Sequence, residues 1–195
     1  MALINPFPEK RIREFLASAR DYQKFLFSLS SAQRAITLAD AIVNGFAASD
    51  KQAIDSALDL CWSAASTSDF APLANHASLL HDRLVPEDDD TYGFYNSATN
   101  DAITSLIYAI RCAVGDDSDS AYYAAETLFN LADLLLNRNR TEYVSDLASA
   151  PITAYAAKCI SSDLVGQVGQ DSSTNIDQIR TRLIEEGREL STLAD

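Results

Sequence analysis

Apolar side chains recur at Ile12, Phe15, Leu16, Ala19, Tyr22, Phe25, Leu26 and Leu29, a spacing near 3.6 residues that matches one face of an α-helix. The same period returns along most of the chain, and little interrupts it: 195 residues contain six glycines and five prolines. Few breakers among many alanines and leucines favour long helices joined by short connections.

The first helix opens at Pro8, whose missing N–H costs nothing at a helix start, and its polar face carries Lys10, Arg13, Arg20 and Lys24. Ser30 or Ser31 is placed to cap a second helix, with Ala35, Ile36, Ala39, Ile42, Val43 and Phe46 inward. A third starts near Ser49 and Asp50 and buries Ala53, Ile54, Ala57, Leu58, Cys61 and Trp62. A fourth runs from Ser68 or Asp69 to about Leu84, where Pro86 stops it. A long amphipathic segment then reaches Val114 and ends at Gly115, a natural C-terminal stop. The next helix spans about 119–137, and residues 141–165 read as two shorter pieces broken before Pro151. The stretch GQVGQDSSTN is polar and glycine-containing, a loop, and a final helix carries Ile176, Ile179, Leu183, Ile184 and Leu190 as its stripe. No segment alternates with period two for long enough to be a strand, and no repeat of fixed length is visible. The expectation is all-α: a single compact domain over residues 1–195, of about seven to eight antiparallel amphipathic helices.

Charge divides the chain unevenly. Residues 35–137 hold three basic and sixteen acidic side chains, a balance of −13 that equals the net charge of the whole. Such a surface repels nucleic acid and anionic membrane and attracts a basic protein. There is no run of about 18 apolar residues to span a membrane, and the prolines and charges of MALINPFPEKRIREF are unlike a secretory leader. Cys61, Cys112 and Cys159 are odd in number, lack metal-ligand spacing and sit among apolar neighbours. They read as reduced, buried thiols in a cytoplasmic protein.

Several chemistries lack their residues. The two histidines, His76 and His81, are five apart and face different sides of a helix. Neither belongs to HExxH, and no GxSxG, GxxxxGK[ST] or GxGxxG occurs. EDDDTYGFYNSA and DDSDSAYYAAET lack the alternating ligands and placed glycine of a calcium loop. No cofactor is called for. Asp55 and Asp59, four apart on the third helix, together with Asp101, are the candidate ligands of a second reading, a metal-dependent helical hydrolase. A third reading is a homodimer in which the first and last helices pair across a two-fold axis.

The acidic run Glu87 to Asp90 enters a long helix, where carboxylates suit the positive end of the helix dipole. Four exceed what a cap requires, and Tyr92, Phe94 and Tyr95 beside them give the aromatic-plus-charge composition of recognition surfaces. The rival explanation makes those aromatics core and leaves only the acids in view. The expected contacts for a basic protein partner are Asp88, Asp89, Asp90, Tyr92, Tyr95, Asp116, Asp117 and Asp119.

The segments YQKFLFSLSSAQRAITLADAIV, ALDLCWSAAS, DDDTYGFYNSATNDAITSLIYAIR and NIDQIRTRLIEEGREL occur in this order. Within the third lies a D-x-Y-G-x-Y-x-x-A pattern formed by Asp90, Tyr92, Gly93, Tyr95 and Ala98, and Leu60 with Trp62 adds a Leu-x-Trp to the second. Together they resemble the bacterial family catalogued as domain of unknown function 416. The resemblance implies a compact all-helical domain and carries no catalytic residue with it. An acidic, non-enzymatic binding domain is therefore expected. Its most concrete form is an immunity protein that covers the basic active-site surface of a cognate toxin.

Overall fold

Long helical periods do become helices. The computed structural model of the chain describes residues 5–90, 92–115, 119–166 and 175–194. Eight α-helices lie within them: α1 (Glu9–Ser18), α2 (Asp21–Ile42), α3 (Ala48–Thr67), α4 (His76–His81), α5 (Phe94–Val114), α6 (Ser120–Asn137), α7 (Pro151–Gly166) and α8 (Ile176–Thr192). A 3-10 turn, Ala71–Leu73, precedes α4, and there is no strand among the described residues. None of these helices is long and apolar enough to cross a membrane.

The domain is built around α2. From Phe25 to Ile36 every residue of α2 is buried, serines included, because α5, α6 and α8 all pack on it. A helix covered on every side has no polar face to display. Each of Phe25, Phe27, Leu29 and Leu38, 0 to 1% exposed, contributes about 1.5–3 kcal/mol by leaving water. Its polar residues are satisfied internally: Trp62 Nε1 donates to Gln33 Oε1 at 2.9 Å, and Ser28 Oγ donates to the Phe25 carbonyl at 2.8 Å.

The break expected at Ser30–Ser31 lies instead at Ala19–Arg20. The Ser30 and Ser31 hydroxyls donate to the Leu26 and Phe27 carbonyls one turn back, at 2.8 and 3.4 Å. They are therefore not placed to accept from free N–H groups as caps would. At Ala19 and Arg20 the backbone is extended, with ψ of 145° and 154°. Gln23 Oε1 takes the Arg20 N–H at 2.9 Å, which starts α2 there.

Two other boundaries also move. The helix expected from Ser68 to Leu84 reduces to the 3-10 turn and the six-residue α4. Ser68 ends α3 in the left-handed conformation (φ 57°), and Asp69 Oδ1 accepts from the Ala71 N–H at 3.1 Å. The short helix expected from residue 141 is absent. There Asn137 Oδ1 takes the Val144 N–H at 2.8 Å, and the Tyr143 hydroxyl reaches Asp133 Oδ2 at 2.6 Å. Side chains hold the backbone of 138–150 in an irregular path until Pro151 opens α7.

The remaining helices match their sequence signals. Gly115 ends α5 at φ 73°, a conformation that favours glycine. The Asn175 side chain accepts from the Asp177 and Gln178 N–H groups to start α8. Helices α5 and α6 form an antiparallel pair, joined near the start of α6 by Ser105 Oγ on the Ala124 carbonyl (3.2 Å) and by the Tyr108 and Tyr123 rings (5.3 Å). Most of the GQVGQDSSTN stretch lies outside the described residues. All three cysteines are free, with Cys61 and Cys159 buried and Cys112 half-buried.

Candidate functional site

The acidic run lies on the connection between α4 and α5. Two turns shape it: the Asp89 N–H donates to the Pro86 carbonyl at 3.1 Å, and the Tyr92 N–H to the Asp89 carbonyl at 2.9 Å. Its start is clipped onto α5 by one side chain. Asn100 Nδ2 donates to the Val85 carbonyl at 2.7 Å while Asn100 Oδ1 accepts the Val85 N–H at 3.1 Å. Glu87, Asp88, Asp89 and Asp90 are all exposed.

These acids do not cap α5. Its N-cap is Gly93, with no side-chain cap bond and no acid in the first turn, so the expected dipole role fails on geometry. The ends of helix dipoles act within about one turn, and the run stops three residues short of Gly93. Nor are Glu87, Asp88 and Asp90 neutralised by neighbours. Among the described residues, Glu87, Asp88 and Asp90 have no ion-pair partner. Some exposed acids elsewhere are matched, as Glu9 with Arg13 at 3.0 Å, Asp21 with Lys24 at 3.4 Å, Asp55 with Lys51 at 3.5 Å and Asp59 with Arg180 at 2.6 Å, while others stand singly, as Asp69, Asp82 and Glu142 do.

The aromatics beside the run divide between the two explanations. Phe94 is half-buried against the core, with the Arg138 guanidinium 5.7 Å above its ring. Tyr92 is half-buried. Tyr95 is 38% exposed, yet its hydroxyl accepts the Ala47 N–H at 2.7 Å and so ties α5 to the connection between α2 and α3.

Of the second acidic group, Asp119 is the one described, and it is not part of the same surface. Asp116 and Asp117 lie outside the described residues. Asp119 is exposed at the N-cap of α6, without a side-chain cap bond. Between it and Asp90 stands α5, whose 21 residues span about 31 Å at 1.5 Å each. Asp88, Asp89, Asp90, Tyr92 and Tyr95 are brought together at one end of that helix, and Asp119 is at the other. There Asp119 acts on Arg13, whose pKa is raised chiefly by its hydrogen bond to Glu9 and in smaller part by the Asp119 charge.

The carboxylates proposed as metal ligands do not converge. Asp55 and Asp59 are engaged with Lys51 and Arg180. No group of three His, Cys, Asp or Glu suited to a metal occurs among the described residues. Asp101, on α5, is half-buried and apart from them. Burial, with Glu87 adding its negative charge, raises its carboxyl to about 7.

Sequence reasoning missed a buried charge cluster where α2, α7 and α8 meet. Arg34 is 0% exposed. Its Nη1 and Nη2 reach Asp163 Oδ2 and Oδ1 at 2.5 and 3.2 Å, and its Nε and Nη2 reach Glu186 Oε2 at 2.7 and 2.5 Å. Arg182 Nη2 closes the group on Asp163 Oδ1 at 3.1 Å. Burial alone drives a guanidinium toward neutrality, but Asp163 and Glu186 outweigh it and hold the Arg34 pKa above its ordinary value. Beside the cluster, burial pushes the Cys159 thiol up to about 11, far from a reactive thiolate. The Tyr155 hydroxyl bonds Glu189. Two cations and two anions balance here, and Arg34 and Asp163 are closed to solvent. The cluster is a joint between helices. The local signal for it is that Arg34 sits in the α2 stretch left without a polar face.

Compared with family models, with curated proteins and with solved structures, the chain matches none, so the likeness to domain of unknown function 416 rests on the four sequence segments alone.

Proposed function

We propose that the chain is a non-enzymatic binding domain whose acidic loop, Glu87 to Asp90, docks a basic protein partner. The observation that carries this reading is the isolation of the loop's charge. Its acids are exposed, do not cap the helix they precede, and, for Glu87, Asp88 and Asp90, have no ion-pair partner among the described residues. Concentrating like charge in one loop works against the compact state, so a partner that neutralises it gains by electrostatic complementarity. Tyr92 and Tyr95 supply rigid apolar area at its edge.

The most concrete form is an immunity protein that covers the basic groove of a cognate toxin, within the bacterial family its segments resemble. Asp119 belongs to a separate surface, since α5 stands between it and the loop. The test is capture at low salt, followed by affinity measurement with the purified partner and co-expression of the pair. A basic partner that loses at least about tenfold in affinity, or 1.4 kcal/mol, to the combined Asp88→Asn, Asp89→Asn and Asp90→Asn change supports the reading. Unchanged affinity at low salt sinks it, and failure to relieve the partner's toxicity removes the immunity role.

A further inference from the structure

Helix α8 lies closely along α2, whereas α3 touches either of them only lightly. Polar clasps hold α3 toward its two ends. Trp62 Nε1 reaches Gln33 Oε1 and Asp59 takes Arg180 at one, and Lys51 Nζ stands 3.9 Å from Asp40 Oδ2 at the other. Between the clasps the three helices leave a groove of about 280 Å³, the volume of about nine water molecules. Side chains three or four apart line it, as Arg180, Ile184 and Arg188 do on α8. Its main apolar side chains are Ile36, Phe46 and Leu58, all buried, and the half-buried Ile184.

Most charges around the groove are matched to one another: Arg180 holds Asp59 at 2.6 Å, and Lys51 stands between Asp40 and Asp55 at 3.9 and 3.5 Å. Arg188 differs. It lines the groove, yet among the described residues its guanidinium has no hydrogen bond or ion pair. A free guanidinium beside apolar side chains offers a planar fork that fits a carboxylate. Asp40 and Asp55 share the lining and oppose a second negative charge, so a monoanion fits better than a dianion such as phosphate. We propose that this groove binds a small monocarboxylate, its carboxylate on Arg188 and its apolar body against Ile36, Phe46, Leu58 and Ile184. The site is built on helices other than those flanking the acidic loop and does not rest on the docking reading.

Titration of the isotope-labelled protein with butyrate, hexanoate and octanoate, followed by proton–nitrogen NMR, tests the site. Trp62 is the single tryptophan of the chain, and its indole N–H, bonded to Gln33 in the groove lining, is an unambiguous reporter. Hexanoate should shift that signal and the backbone signals around Phe46, Leu58 and Arg188 saturably. Affinity should rise by up to about fourfold per added CH₂ until the groove is full. Arg188 is exposed, so Arg188→Gln opens no cavity; it should weaken hexanoate by about tenfold or more. Arg188→Lys should recover part of that loss. Hexanol, which lacks the charge, and hexyl phosphate, which can carry two, should both bind more weakly than hexanoate.

The proposal is overturned if none of the three acids gives a saturable shift up to about 10 mM, or if the shifts gather on the Lys10–Arg13 surface of α1 instead. Hexanol binding as tightly as hexanoate overturns it on the wild-type protein alone, whatever the variants do. Undiminished hexanoate affinity in Arg188→Gln removes Arg188 and the proposal with it. Tighter binding of hexyl phosphate than of hexanoate overturns the monocarboxylate class. None of these outcomes touches Glu87 to Asp90, so the docking reading stands or falls separately.

Discussion

Asp163 and Asp90 are both aspartates close to a helix end, and they sit in opposite electrostatic conditions. Asp163 is 1% exposed and is gripped by Arg34 and Arg182 within a group of two cations and two anions. Asp90 is exposed in a run of four acids, with no ion-pair partner among the described residues. Where water is excluded the fold supplies every charge with its complement, because an unmatched buried charge costs several kcal/mol. Where water is present a surplus is tolerated, and its complement can come from another molecule. The α2–α7–α8 joint is therefore where removing one charge costs most, and the loop before α5 is where recognition is proposed.

The largest effect is expected at the joint. Arg34→Met removes the cation that both Asp163 and Glu186 share, leaving Arg182 as the counter-charge for a sealed carboxylate. Breaking one side of a buried pair costs about 3–5 kcal/mol, which urea denaturation followed by circular dichroism would read. Arg34→Lys should restore only part of that loss, because an ammonium cannot reproduce the guanidinium's fork onto two carboxylates. A loss below about 1 kcal/mol for Arg34→Met would break the comparison, showing that solvent reaches the joint.

A smaller effect is expected one turn of contact away, at Gly187. A Cβ there would meet the Thr37 Cβ at 2.7 Å and the Arg34 carbonyl oxygen at 3.1 Å, so α8 approaches α2 closely enough to require glycine. Gly187→Ala should cost about 1–3 kcal/mol through overpacking. Combining it with Thr37→Gly should recover only part of the loss. The Arg34 oxygen is backbone and cannot withdraw, and Thr37→Gly adds the helix-interior cost of a glycine.

These two positions also show what the sequence makes legible and what it hides. Helices α3, α5, α6 and α8 are readable because each is buried on one side and marked at an end, as by Gly115 and Asn175. Helix α2 is hidden because it is covered all round, so Ser30 and Ser31 look like caps while they bond back inside the helix. The partners of Arg34 are 129 and 152 residues away, and no local spacing announces them. Acidity at residues 87–90 is plain in the sequence. The distance to Asp119 follows from the length of α5, once that helix is placed. Asp101 is the hardest to see: it is half-buried and unpaired on α5 among the described residues, and no residue beside it in the chain announces that.

Asp101 links the two regions, being partly covered like Asp163 and unpaired like Asp90. Its carboxyl is raised from 3.8 to about 7 in the fold, so between those values the folded chain holds a proton that the unfolded chain has lost. Stability therefore falls as pH rises through this window and levels off above about 7. Asp101→Asn abolishes that fall, and at pH 8 it should be more stable than the wild type by about 4 kcal/mol. Thermal melts of both proteins should diverge from pH 4 to about pH 7 and keep a constant gap to pH 8. Parallel curves would mean that Asp101 is already hydrated in the folded state and belongs with the exposed acids.

The smallest effect on stability is expected at the loop, where the comparison is most exposed to failure. Asp88→Asn, Asp89→Asn and Asp90→Asn should each change stability by no more than about 0.5 kcal/mol. For Asp88 and Asp90 the sign should favour stabilisation, because no cation is abandoned and like charges are separated. Salt should shrink the gain, since added ions already screen the repulsion within a distance of about 8 Å at physiological strength. A loss above 1 kcal/mol on the combined replacement, persisting in salt, would mean that these carboxylates hold the turns at Pro86–Asp89 and Asp89–Tyr92 together. They would then belong with Asp163 as structural charge. Near-neutral stability with a lost basic partner is the pattern of a surface whose complement lies on another molecule.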